Sequence, residues 1–414
     1  MQRVFRLPAV LTVVVLLTLV VTAVGPSLRG RQLGATASGT SDSSSVRVDR
    51  DLAARMDDVA ERLLRESNAA GFSIAVARGG DVVFADGYGF ADVQGEAPAS
   101  ADTVYGIGSI TKQFTAAAML RLQEEEKLAL DEDVSTHLPG YPSKLQRITI
   151  QQILSHTSGI PELTVQPSYR DASDAAVPRE AIMREMLSLP LDFSPGTKWS
   201  YSNSGYVLAG MIIERVTGLS YATYLKDRLL GPLGLRHTSV CPDDMSSAPY
   251  ARGYELQTGR WTRAIQLGQP LSLIPAAPVE LSIASSAGAG CSTVLDLLAW
   301  TEALRSGRVV SPASYRLMTT PAGLADGSTV PYGLGFFLRR FGTHRVIVHG
   351  GIIENGFVGM LGDFPDDRLT VAVLANTFID PESLMLGILR AVFDEPDATW
   401  DMPDLEPTSG NRSP

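Results

Sequence analysis

Cysteine is scarce in this 414-residue chain: there are two, Cys241 and Cys291, and no CxxC pair. Cysteine-rich zinc sites, disulfide-dense scaffolds and thioredoxin-type motifs are thereby excluded. Histidine is nearly as rare, five in all, and the absence of HExxH argues against a metalloprotease of that type. Positive charge is also in deficit. Thirty-five Lys and Arg against 45 Asp and Glu leave a net charge of −10. The basic residues are scattered, so the cationic surface that a phosphate backbone requires is missing and nucleic acid is not an expected partner. Apolar material, by contrast, is plentiful. A composition of 44% hydrophobic and 19% charged residues can bury one large core or two ordinary ones, and it excludes a disordered or collagen-like polymer.

At the N-terminus, Arg3 and Arg6 precede the run Ala9 to Val24, which is entirely apolar or Thr. Its length falls between the apolar region of a signal peptide and a bilayer span of about 20 residues, so residues 1–28 read as either a cleaved signal or a retained anchor. Val21-Thr22-Ala23 offers a small-residue cleavage site. Either reading predicts an extracytoplasmic protein, secreted or held at the membrane by this segment. Residues 29–50, rich in Ser, Gly and Thr, read as a flexible linker that cannot offset its own ordering entropy. In such a compartment Cys241 and Cys291 either pair or remain two buried thiols.

Asp51 to Glu66 has the spacing of an amphipathic helix, with Leu52, Met56, Val59, Leu63 and Leu64 on one face. Two strands follow, Phe72 to Arg78 and Val82 to Tyr88, joined through Gly79-Gly80 in a tight hairpin. Four strand-like runs come late: Gly333 to Arg339, Arg345 to His349, Phe357 to Asp363 and Leu369 to Ala375. Pro381 to Asp394 then has a helical pattern. The middle, from about Ser109 to Leu304, is mostly helical. This arrangement predicts an α+β fold, in which strands from both ends of the chain build one antiparallel sheet flanked by helices, beside a helical second lobe. A cleft between two such lobes is a favoured site. Residues 51–395 are expected to form the domain, and 396–414, Pro-rich and acidic, a disordered tail.

Three short motifs carry the chemistry. Ser109-Ile110-Thr111-Lys112 opens a helical pattern, which sets Ser109 and Lys112 on one face. A serine at a helix start sits near unpaired backbone N–H groups that favour developing negative charge, and a lysine beside it can take its proton if burial depresses the lysine pKa. Alone, so short a pattern reads first as a helix cap and a surface charge, and it needs company. Tyr201-Ser202-Asn203 lies on a loop before another apolar helix, where a tyrosine can relay protons and an asparagine amide can orient a carbonyl. His349-Gly350-Gly351 closes a strand; its glycines let a substrate backbone approach, and the histidine could bind a carboxylate or join a proton network.

In that order the three motifs resemble the serine hydrolase superfamily of penicillin-binding proteins and β-lactamases, in particular its class C β-lactamase-like branch, which includes D-alanyl-D-alanine carboxypeptidases, D-aminopeptidases and serine esterases. The segments ILSHTSGIP (Ile153 to Pro161), FSPGTKWSYSNSGY (Phe193 to Tyr206) and AGAGCST (Ala287 to Thr293) share the resemblance. It implies the β-lactamase/transpeptidase-like fold and a covalent acyl-enzyme on Ser109, with Lys112 and Tyr201 sharing the general-base and general-acid work. Asn203 would hold the substrate amide. The backbone N–H groups of Ser109 and Ile352, the residue after Gly351, would form the oxyanion hole. No metal or organic cofactor is required. The expected substrates are D-alanyl-type peptides, amides or small esters, hydrolysed or passed to another acyl acceptor.

One departure from the family pattern stands out. His349 falls where many relatives carry the lysine of a Lys-Thr-Gly triplet, and a histidine with a reference pKa of about 6.5 is mostly neutral at pH 7. Efficient β-lactamase action is therefore not expected. His156 lies in a segment opened by a Thr149/Gln152 capping box and closed by Gly159, which predicts a structural role. Two other readings compete: a Ser-His-Asp hydrolase, disfavoured because the serine is not in GxSxG, and a binding or sensor module without turnover, which has no need of Ser109, Lys112, Tyr201 and Asn203 together.

Overall fold

The computed structural model describes residues 50–401, apart from 139–145, 167–168, 170–177, 243–244, 246–247, 257–271, 278, 280 and 282. The first helix, α1 (Arg50–Ser67), buries Leu52, Met56 and Ala60, one residue per turn on a single face. The chain then forms β1 (Gly71–Arg78) and β2 (Asp81–Asp92), turned through Gly79 and Gly80 at φ 64° and 94°. After β3 (Ala97–Pro98) and β4 (Tyr105–Gly108) comes α2 (Thr111–Glu124), nearly all of whose residues are buried. Such a helix has no solvent face and sits in the middle of the core.

The helical part contains α3 (Ile150–Leu154) and α4 (Asn203–Thr217), followed by β5 (Ser239–Val240), β6 (Gly290–Ser292) and α5 (Val294–Arg305). The late strands are β7 (Phe337–Phe341), β8 (His344–Ile353), β9 (Phe357–Phe364), β10 (Leu369–Ala375) and, after α6 (Pro381–Phe393), β11 (Trp400–Asp401). The main sheet has eight strands in the order β11-β7-β8-β9-β10-β1-β2-β3. Within it β1 pairs antiparallel with β10, Phe72 opposite Ala375, and there the two ends of the chain meet as expected. This is the mixed α and β architecture predicted above, one antiparallel sheet built from both ends of the chain and flanked by helices.

Alternation along β1 assigns its two faces. Phe72, Ile74 and Val76 join the core under α1 and α6, whereas Ala75 and Ala77 face the other core, where small side chains leave room for α5. A second sheet of three strands, ordered β4-β6-β5, leads directly into Ser109. It is cross-linked by a Cys241–Cys291 disulfide, which decides between the two states left open for these cysteines.

Several expectations need correction. The strand expected from Gly333 begins only at Phe337, because Gly335 takes φ 83° and Gly333 N donates back to Phe336 O in a tight turn. The strand expected to stop at His349 runs on through Gly350 and Gly351 to Ile353. Part of the tail expected to be disordered forms β11, held by Trp400 against Phe341 edge to face with ring centroids 5.9 Å apart. The expectation of a protein held at a membrane by its N-terminal apolar run is not upheld: among the described residues no helix is long and apolar enough to cross a membrane. The run itself, like linker residues 29–49 and most of the Gln166–Ala176 and Tyr250–Pro278 loops, lies outside the described residues.

Candidate active site

Ser109 does not sit on the helix. It occupies the turn between β4 and α2, whose N-cap is Ile110, with no side-chain cap bond. The serine hydroxyl is therefore not spent on capping and is left for its neighbours. Lys112 N donates to Ser109 O at 3.0 Å, which closes the turn and brings the lysine side chain back over the serine.

Lys112 is completely buried. Its Nζ lies 2.9 Å from Ser109 Oγ and donates to Asn203 Oδ1 and to Ala287 O, each at 2.7 Å. The orientation of the Asn203 amide follows from its other side: Nδ2 donates to Glu162 Oε1 at 2.9 Å, and a carboxylate can only accept. Glu162 also accepts the backbone N–H of Asn203 at 2.5 Å, placing a negative charge at the start of α4, where the helix dipole favours it. Burial without an adjacent carboxylate pulls the lysine pKa down to about 7, an effect that Glu162, one residue removed, partly opposes.

Tyr201 completes the group. Its ring lies beneath Lys112 Nζ, 4.8 Å from the centroid, and its hydroxyl bonds Ser109; burial holds its pKa well above the usual tyrosine value. The loop bearing Tyr201 is fixed by His156. His156 O accepts Ser200 N at 2.9 Å, Nδ1 accepts Ser202 N at 3.1 Å, and the ring lies 4.3 Å from the Tyr201 ring. Burial and the neighbouring Lys112 keep His156 far below its ordinary pKa, so it is neutral and acts as scaffold. α3 opens with the expected Thr149/Gln152 capping box, but its left-handed closing residue is His156 itself, at φ 61°, rather than Gly159.

His349 is not the cationic anchor that its position suggested. It is buried, its Nδ1 donates to Gly350 O at 2.6 Å, and its Nε2 accepts from the Tyr332 hydroxyl at 3.2 Å. Desolvation, with Lys112 and Arg339 nearby, lowers its pKa to about 3, so the ring is neutral.

Gly351 and Ile352 lie where β8 meets the serine turn. A Cβ on Gly351 would come within 1.9 Å of Ile107 O and 3.1 Å of Ser109 N, and one on Gly108, at φ 50°, within 2.5 Å of Ile352 N. Only glycines permit this approach, which brings the N–H groups of Ser109 and Ile352 into one neighbourhood. Two cavities open on either side of these residues. One, of about 350 Å3, is lined by Tyr201, Phe337, Arg339, His349 and Glu382; the other, of about 540 Å3, by Asn203, Tyr169 and largely apolar residues such as Val165 and Leu281.

All the predicted site residues thus meet around Ser109. Sequence reasoning missed Glu162, although it directly follows ILSHTSGIP, and it missed the pair Arg339–Glu382, which no motif signals.

The beta-lactamase family model matches residues 50–392. The chain is 28% identical to a penicillin-binding protein of Bacillus subtilis strain 168 over 354 residues, covering 82% of this chain and 76% of that protein. It is 37% identical over 216 residues to protein flp of Staphylococcus aureus MRSA252, covering 51% of this chain but only 43% of the relative. The D-amino acid amidase of Ochrobactrum anthropi SV3 superposes with a TM-score of 0.69 at 25% identity, covering 84% of this chain and 99% of that one. With the family match spanning residues 50–392, most of the chain, the chain belongs to the beta-lactamase family of serine hydrolases.

Proposed function

We propose that the protein hydrolyses amides or esters, D-amino-acid amides and small esters foremost, through an acyl-enzyme on Ser109. The observation that carries this reading is the buried Lys112 amine, 2.9 Å from Ser109 Oγ with its pKa drawn to about 7. A neutral amine has two hydrogens and a lone pair. Asn203 Oδ1 and Ala287 O take the hydrogens, which leaves the lone pair facing the serine hydroxyl.

As Ser109 Oγ bonds to the substrate carbonyl carbon, its proton passes to Lys112 Nζ. The resulting oxyanion lies against the N–H groups of Ser109 and Ile352. Collapse breaks the bond to the leaving group, which takes a proton through the Tyr201 hydroxyl. Water then attacks the acyl-serine, its proton goes to the same base, and the acid leaves with Ser109 restored. Asn203 lines the larger cavity, where the second N–H of Nδ2 would serve a substrate carbonyl.

A D-alanyl-D-alanine carboxypeptidase role has less support, because His349 is neutral with both ring nitrogens engaged. The experiment is intact-protein mass after mixing with a fluorophosphonate and with p-nitrophenyl acetate, alongside turnover of D- and L-alanine p-nitroanilide. Adducts that vanish in Ser109→Ala and Lys112→Ala, with turnover of the D-anilide or the ester, are expected. Adducts that persist in Ser109→Ala overturn the reading.

A further inference from the structure

Among the described residues lining the cavity of about 350 Å3 beside Ser109, Arg339 is the one permanent cation, and the protein supplies it with a carboxylate of its own. Arg339 Nη1 donates to Glu382 Oε1 at 2.8 Å, with the arginine side chain 9% exposed and the glutamate 34%. Both ends of this pair are held. The guanidinium carbon sits over the Phe337 ring at 4.8 Å, and that ring lies nearly parallel to Tyr201, 6.3 Å away. Glu382 is in the first turn of α6, whose start is capped by Asp380 and which carries Pro381 at its head. The remaining candidate for reading an anion there, His349, has Nδ1 on Gly350 O and Nε2 on Tyr332.

A substrate group bearing a carboxylate would therefore find the guanidinium already donating to Glu382 through Nη1 and a partly exposed negative oxygen at its side. Arginine pairs with carboxylates through charge-assisted bonds of fixed geometry, so a second carboxylate must displace the first or bear its repulsion. An uncharged amide or ester end meets no such opposition. We propose that Glu382 sets the charge selectivity of this cavity: it occupies Arg339 from within, so that the group entering beside β8 is an uncharged amide or ester end rather than a free carboxylate. The proposal rests on the reading of Ser109 as the nucleophile and adds the class of substrate end that the neighbouring cavity takes. Selectivity here comes from a repulsive element as much as from an attractive one.

The test separates binding from turnover. In the full chain carrying Ser109→Ala, titration calorimetry would give the Kd of N-acetyl-D-alanyl-D-alanine and of its carboxamide, which differ only in charge at that end. The carboxamide is expected to bind at least about tenfold more tightly. Adding Glu382→Gln should shift the ratio of the two Kd values toward the carboxylate by at least about tenfold, and adding Arg339→Gln as well should remove that gain. A ratio that stays within about threefold across the three proteins, or no binding of either ligand, overturns the proposal. Fluorophosphonate labelling of the wild type reads the nucleophile alone, so a failure there strikes the Ser109 mechanism and not the charge selection.

Discussion

Lys112 is a cationic residue placed where a cation is costly. Its partners are two carbonyl-type oxygens and a hydroxyl rather than a carboxylate, and none of the three comes from its own helix. Because its folded pKa of about 7 lies below the usual lysine value, protonation on acidification removes the base. The acylation rate with an activated ester, followed by stopped flow, should rise from pH 5 and level off above about pH 7. A profile flat over that range would contradict the assignment. His349, with its pKa near 3, should add no second inflection in this window. Lys112→Ala should slow acylation by about 10³-fold or more while leaving the far-UV spectrum intact. Ser109, Lys112 and Tyr201 were legible as a constellation from their order along the chain. The charge states of Lys112 and His349 were not, because desolvation is a property of everything packed around a side chain.

At the scale of elements, the site is an agreement between three backbones: the turn before α2, the loop before α4, and β8. Gly351→Ala tests the first against the last. A methyl 1.9 Å from Ile107 O cannot be accommodated by a rotamer change, so β8 must withdraw from the serine turn and carry Ile352 N with it. Loss of one oxyanion donor predicts a fall in kcat of about 10² to 10³ with the domain still folded, checked by steady-state kinetics beside a thermal melt. His156→Ala tests the loop. It leaves the buried Ser202 N–H without its acceptor, which should cost about 1–3 kcal/mol of stability, and it frees the Tyr201 loop so that kcat falls more than KM changes. An unchanged kcat would mean that the loop is held elsewhere. The capping box of α3 was readable because caps are local patterns. The start of α2 was misplaced by two residues because Ser109, a good capping residue by type, turns its hydroxyl toward Lys112 and Tyr201 instead.

For the whole molecule, the order of strands mattered more than their individual patterns. β1 and β10, from opposite ends of the chain, pair within the one sheet, and the alternation of large and small residues on β1 divides the core between the two layers of helices. The Cys241–Cys291 bridge closes a loop of 50 residues and ties β5 to β6, the neighbour of the strand that delivers Ser109. Cys241→Ala combined with Cys291→Ala should lower stability by up to about 4 kcal/mol, the loop-entropy figure for that length, and reduce Tm by about 5 °C. Scanning calorimetry of the oxidised protein and the double variant would check this, and equal melting temperatures would show that packing alone holds β5. The sequence by itself determined the residue types, their order and the periodicities that select helix or strand, since these are local or motif-level properties. Tertiary structure decided which groups carry charge. Lys112 meets Asn203 and Ala287 across 91 and 175 residues of chain, and Arg339 meets Glu382 across 43, distances at which only folding selects the partner and the dielectric that sets its proton affinity.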